Sequence, residues 1–98
     1  MKMVDEAHAE LLKYRHAIDK CDAELVHIVA QRFAITERVG QLKARVGLPV
    51  TDAEREAQQV QRIEELSQEQ GLDPEIMLAI WRVMADRVVQ RHREIRER

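Results

Sequence analysis

The chain of 98 residues contains little cysteine, proline, glycine or aromatic side chain. It has one cysteine, two prolines, three glycines and 3% aromatic residues. One cysteine excludes a disulfide bond within the chain and is consistent with a reducing compartment, the cytoplasm. Few aromatics together with 35% charged residues disfavour a β-sheet and suit helices that pack through aliphatic side chains. We therefore expect one all-α domain over residues 1–98.

Several features that would indicate other functions are also missing. The net charge of -2 is too small to indicate a polyanionic partner, and the C-terminal arginines come with no groove-reading motif, so nucleic acid is not expected. No uninterrupted apolar run indicates a signal peptide or a membrane span. The histidines and the cysteine lack metal-ligand spacing, and no phosphate-binding glycine loop or nucleophile motif is present. We expect neither a metal nor a membrane partner.

The stretch from Glu10 to Arg45 has no proline and a single glycine, at position 40. Its apolar residues recur at seven-residue spacing in two columns offset by three residues, which is typical of a long helix packed along its length. We expect this first helix over about residues 8–46. The columns comprise Leu11, Ile18, Leu25, Val39 and Val46, and Tyr14, Cys21, Ile28, Ile35 and Leu42.

A helix of 36 residues from Glu10 to Arg45 would be roughly 54 Å long. A compact globule of about 100 residues has a radius of gyration of only about 13 Å. The rest of the chain is therefore too short to cover the whole apolar seam. We expect a homodimer in which two first helices cover each other.

Two shorter helices follow. Pro49 ends the first helix region, and Asp52 or the threonine before it can cap a second helix over about residues 53–70. Asp73 can cap a third helix over about residues 74–95, whose first position is proline.

Arg32 interrupts an otherwise apolar column, and a guanidinium there is costly unless an anion meets it. Lys43 lies three turns further on, on nearly the same face, and Arg15 begins another seven-residue column. Each has an ordinary alternative: Arg15 could pair with Asp19 or Asp22, and Lys43 could extend past the helix end into solvent. Arg32 is the least easily explained in this way.

Arg15 and Arg32 are roughly 25 Å apart along a straight helix and cannot bind one small molecule from a single helix. An antiparallel second helix would bring Arg15 of one chain towards Arg32 and Lys43 of the other. A site that uses all three cations would therefore be built from two chains.

Three segments together resemble a known family. They are LLKYRHAIDKCDAELVHIVAQRFAITERVGQLK, GLPVTDAEREAQQVQRI and the GLDP that opens the third helix. Over about residues 10–92 they are similar to the all-helical chorismate mutases (type II, bacterial monofunctional). The resemblance implies three helices per chain, one long and two shorter, in an intertwined homodimer with antiparallel first helices.

The implied reaction is the rearrangement of chorismate to prephenate, a step towards phenylalanine and tyrosine. It is pericyclic, and the resemblance implies that no cofactor is required. By the same resemblance, Arg15 of the other chain and Arg32 bind the two substrate carboxylates, and Lys43 donates to the ether oxygen. Glu56 is expected to accept a hydrogen bond from the substrate hydroxyl, and Asp52 and Arg55 are expected to line the site.

Two positions on the third helix depart from the common bacterial pattern. His92 stands where the family often has a glutamine that is the second donor to the ether oxygen. Val88 stands one turn earlier, where a small hydroxyl residue is frequent. Histidine can donate a hydrogen bond as a neutral tautomer or as the cation, so we hypothesise that His92 replaces the glutamine.

Two other functions remain open at this point. Isochorismate-pyruvate lyases, which serve salicylate synthesis, have the same fold, but typically lack the residues that correspond here to Asp52, Arg55 and Glu56. The alternative is a non-catalytic helical dimer module in which the charges are solvated. The position of Arg32 within an apolar column disfavours this alternative. Some small family members are activated by an upstream enzyme of the shikimate pathway, which is therefore a candidate partner.

Overall fold

The structure, a computed structural model, describes residues 2–98 and contains three α-helices joined by short loops. Helix α1 spans Lys2–Val46, α2 spans Ala53–Glu69 and α3 spans Pro74–Arg96. No strand occurs within residues 2–98. The prediction of an all-α fold with one long and two shorter helices is confirmed.

The start of α1 differs from the expectation of about residue 8, because the helix begins at Lys2. No proline or glycine interrupts this segment, and Asp5 in the first turn complements the positive end of the helix dipole. The ends of α2 and α3 lie within one residue of the expected positions.

The loops follow from local chemistry. Gly47 has a φ of 76° and Gly71 a φ of 67°, a left-handed conformation that glycine adopts without steric cost. After α1, the backbone N–H of Leu48 donates to the carbonyl of Lys43 at 2.9 Å. Before α3, the Asp73 side chain accepts from the N–H of Glu75 at 3.0 Å.

The described chain separates into two compact units, one that ends at Ala34 and one that spans Ile35–Arg98. The first unit consists only of the N-terminal part of α1. Its apolar columns are open to solvent: Ile18 is 57% exposed, Leu25 52% and Ile28 56%. The prediction of one domain over residues 1–98 stays a prediction.

In the second unit, α2 and α3 pack together around Trp81, which is 1% exposed. Ser67 on α2 is also buried, and its hydroxyl donates to the carbonyl of Ile63 at 2.6 Å. The hydroxyl is thus satisfied within its own helix, as a buried polar group requires. Over the part of the chain that the structure describes, no helix combines the length and apolar character needed to cross a membrane.

An ion pair connects α3 to the C-terminal part of α1 within the second unit. Arg91 Nη2 lies 2.6 Å from Glu37 Oε1, and Arg91 Nε lies 2.9 Å from Oε2. This two-pronged geometry is the strongest form of a guanidinium–carboxylate pair. The hydrogen bonds from Arg91 lower the pKa of the Glu37 carboxyl and the carboxylate raises the pKa of Arg91.

We predict that Glu37→Gln lowers the melting temperature at neutral pH and that the difference from wild type shrinks in acid. The native pKa of Glu37 is depressed, so its contribution is complete above the ordinary glutamate pKa of about 4.3 and is lost as the pH falls through the native value. Thermal unfolding between pH 7 and pH 3 measures this. The exposed Glu64, changed to Gln, is the control. A constant difference over the whole range would contradict the assignment.

Candidate active site

Two of the predicted site residues, Arg15 and Arg32, lie in the first unit. Arg15 is exposed and Arg32 is half-buried. Among residues 2–98, the ion pairs that form include neither arginine, so the alternative pairing of Arg15 with Asp19 or Asp22 is not formed. Both guanidinium groups therefore keep their full capacity to bind an anion.

Lys43 lies in the last turn of α1, in the second unit, and is half-buried. Its Nζ donates to the carbonyl of Val50 at 3.3 Å, which uses one of three ammonium protons. No carboxylate within the described residues forms an ion pair with Lys43. Arg96 donates to the carbonyls of Lys43 and Leu48, and so attaches the end of α3 to the turn that carries Lys43.

The start of α2 holds three further predicted residues. Asp52 is the N-cap, and its Oδ1 accepts from the backbone N–H of Arg55 at 3.1 Å. The N–H of Glu56 donates to the Asp52 carbonyl at 3.0 Å, which places Glu56 in the first turn, half-buried. Arg55 is exposed. The cap occupies only one of the two carboxylate oxygens of Asp52.

Val88 and His92 lie one turn apart on α3, so their side chains share a face. Val88 is half-buried, whereas His92 is only 4% exposed. Its Nε2 lies 2.8 Å from the carbonyl oxygen of Thr36 on α1. A carbonyl only accepts, so Nε2 carries a proton and donates it to Thr36.

The sequence analysis missed the contacts that attach α3 to α1. Gly40 is the one buried residue of α1, and it packs against the ring of His92. An isolated glycine within a long helix is a signal of close approach, and it was available in the sequence. The pair of Glu37 with Arg91 joins residues 54 positions apart, and no short-range spacing identifies it.

Over residues 2–98, no three histidine, cysteine or carboxylate side chains come together as metal ligands would. The predicted site groups of the second unit instead include the Lys43 ammonium on α1, the Glu56 carboxylate on α2 and the His92 imidazole on α3. Such a set can donate and accept hydrogen bonds without a bound metal.

Comparison with known proteins gives a match over most of the chain. The family described as "Chorismate mutase type II" matches residues 14–93. This range contains all the predicted site residues.

Three relatives agree with that match. A "Chorismate mutase" of Methanocaldococcus jannaschii is 29% identical over 77 residues, which is 79% of this chain and 78% of the relative. A "T-protein" of Enterobacter agglomerans is 33% identical over 70% of this chain but 18% of its own length. A "Bifunctional chorismate mutase/prephenate dehydratase" of Aquifex aeolicus is 32% identical over 61% of this chain and 17% of its own length. The chain thus spans less than a fifth of the last two.

Asp52 caps α2 and is also a predicted site residue. We predict that two substitutions separate these two roles. Asp52→Ala removes the cap of α2 and should destabilise the protein by about 0.5–2 kcal/mol. Asp52→Asn keeps a side-chain oxygen for the cap and should unfold close to wild type. Any loss of activity in Asp52→Asn then measures how much the carboxylate charge contributes to activity. Equal stability losses in the two variants, measured by thermal unfolding, would contradict the capping role.

Proposed function

Because this chain belongs to the chorismate mutase type II family, its activity is that of a chorismate mutase, and we propose how its side chains carry out the rearrangement. Chorismate carries two carboxylates, and its ether C–O bond breaks as a new C–C bond forms. The observation that carries the proposal is a set of three cations on α1, Arg15, Arg32 and Lys43, none of which pairs with a carboxylate within residues 2–98.

Arg32 and Arg15, the latter supplied by a second copy of the chain, bind the two substrate carboxylates. A guanidinium suits this role because its planar fork donates two parallel hydrogen bonds to one carboxylate. Binding both ends of the substrate holds the enolpyruvyl arm over the ring, which removes much of the entropic cost of reaching the transition state. The half-buried position of Arg32 supports this role, because a partly desolvated cation without an ion-pair partner is stabilised by an anionic ligand.

Lys43 donates to the ether oxygen, on which negative charge grows as the bond breaks. Its contact with the Val50 carbonyl fixes the direction of the ammonium group, and two protons remain for the substrate. A donor that is already oriented towards developing charge lowers the barrier without reorganisation during the reaction. His92 is the second donor to the same oxygen.

The start of α2 recognises the rest of the substrate. Glu56 accepts a hydrogen bond from the ring hydroxyl, with its position set by the cap at Asp52. Asp52 and Arg55 line the edge of the site, and Val88 provides an apolar wall one turn from His92. No step transfers a proton, so these groups act by orientation and electrostatic stabilisation.

The active unit is an intertwined homodimer with antiparallel α1 helices and two shared sites. The exposed apolar columns of α1 support this arrangement, because side chains such as Ile18, Leu25 and Ile28 gain stability when a second surface removes them from water. The dimer acts in the cytoplasm, which the single cysteine at position 21 favours. An upstream enzyme of the shikimate pathway is the candidate activating partner.

The function is tested by identifying products. We expect the purified chain to convert chorismate to prephenate and to leave isochorismate unchanged, as resolved by chromatography. Formation of pyruvate and salicylate from isochorismate, without prephenate from chorismate, would assign the chain to the lyases instead. Absence of turnover with either substrate, in a folded protein, would contradict intrinsic activity of the isolated chain.

We predict that Lys43→Ala lowers kcat by about 10²–10³-fold, because one preorganised donor to the developing oxyanion is lost. The KM for chorismate should change far less, since the arginines bind the carboxylates. Lys13→Ala, at an exposed position of the same helix, is the matched control and should keep wild-type kinetics. A loss below tenfold would show that Lys43 is not the principal donor.

A further inference from the structure

His92 occupies a site on α1 that only a glycine can provide. A Cβ atom built at Gly40 would lie 2.8 Å from His92 Nε2 and 3.0 Å from Ile95 Cδ1, and still closer to the ring carbon Cδ2. The imidazole therefore fills the space that any other side chain at position 40 would need. Glycine is unfavourable within a helix by up to about 1 kcal/mol relative to alanine, so its use here indicates a packing requirement.

The hydrogen bond of His92 involves the same turn of α1. Its Nε2 lies 2.8 Å from the carbonyl of Thr36, the carbonyl that an α-helix pairs with the N–H of Gly40. A carbonyl oxygen has two lone pairs, so it accepts both from the backbone and from the ring. The ring of His92 and the backbone N–H of Gly40 thus bond to the same carbonyl of α1.

We propose that Gly40 is a positioning residue for His92, which it holds with Nε2–H on the Thr36 carbonyl so that Nδ1 is the ring nitrogen left for the substrate. This inference rests on the proposed function, in which His92 touches the ether oxygen. Neutral His92 would only accept at Nδ1, so donation to that oxygen requires the imidazolium form. Gly40 itself touches no substrate atom and acts through the ring.

A double-mutant cycle tests the coupling. In the wild-type background, Gly40→Ala should lower kcat by about 10- to 100-fold, the cost of misplacing a catalytic group by about 1 Å. The KM should remain within about twofold, because the carboxylate-binding arginines are unaffected. In the His92→Ala background, the same change should alter kcat by less than about twofold, because the added methyl group meets only the flexible end of Ile95.

The control for this cycle is Gln41→Ala at the neighbouring exposed position, which should leave kcat unchanged. An equal loss in both backgrounds, or wild-type kcat in Gly40→Ala, would overturn the inference. Melting temperatures of all variants show whether each compared protein is folded.

A second measurement does not depend on turnover. In protein labelled with ¹⁵N-histidine, long-range ¹H–¹⁵N spectra at neutral pH should show one imidazole with a slowly exchanging Nε2–H, absent from His92→Gln and lost in Gly40→Ala. A ring that is protonated on Nδ1 and not on Nε2 would overturn the proposal. If the tautomer is as proposed but the wild type converts no chorismate, the proposed function fails while the positioning of His92 by Gly40 stands.

Discussion

The apolar columns of α1 are the constraint on which the rest of the protein depends. Each aliphatic side chain that leaves water stabilises the folded state by about 25 cal/mol per Å² of apolar surface that becomes buried. In the single chain, side chains such as Leu25 and Ile28 remain more than half exposed. A second copy that covers these columns would gain this stabilisation, and it would also face Arg32, the one cation within them. Assembly and catalysis would then depend on the same surface.

In the second unit, the Lys43 ammonium and the His92 imidazole form no ion pair with a carboxylate of residues 2–98. Glu37 is paired with Arg91, and the Lys43 ammonium and the His92 ring donate to backbone carbonyls, which are neutral. A carbonyl orients a donor without neutralising its charge, whereas a carboxylate would compete with the substrate. A rearrangement without proton transfer needs oriented charge and a fixed substrate conformation, and in the proposed mechanism these contacts provide the oriented charge.

Sequence reasoning predicted features that depend on local chemistry or regular spacing. Gly47 follows the C-terminus of α1, and Asp52 and Asp73 cap the N-termini of α2 and α3. Arg32 was identified as a candidate site residue because it interrupts a column of apolar residues. The family is confirmed by the match over residues 14–93. The early start of α1 was missed because no capping residue marks it, and a helix dipole effect such as that of Asp5 is weak.

Contacts between distant residues were not predicted, for a physical reason. The pair of Glu37 with Arg91 and the packing of His92 on Gly40 depend on the register between α1 and α3. Periodicity identifies which face of a helix is buried, but it does not fix how far one helix is displaced along another. Charge pairs across that interface therefore require the three-dimensional structure, although the lone glycine of α1 was an unused signal of the close approach to His92.

The central claim is that each site combines Arg15 of one chain with Arg32 and Lys43 of the other, and subunit mixing tests it most directly. Arg15→Ala and Arg32→Ala proteins, each inactive alone, are unfolded together and refolded in equal amounts. Mixed dimers would contain one intact site, so activity should recover to about a quarter of wild type. Mixing Arg32→Ala with Lys43→Ala should restore none, because both changes fall in the same half of each site. A mixture of the first pair with no more activity than its parents would contradict the shared site.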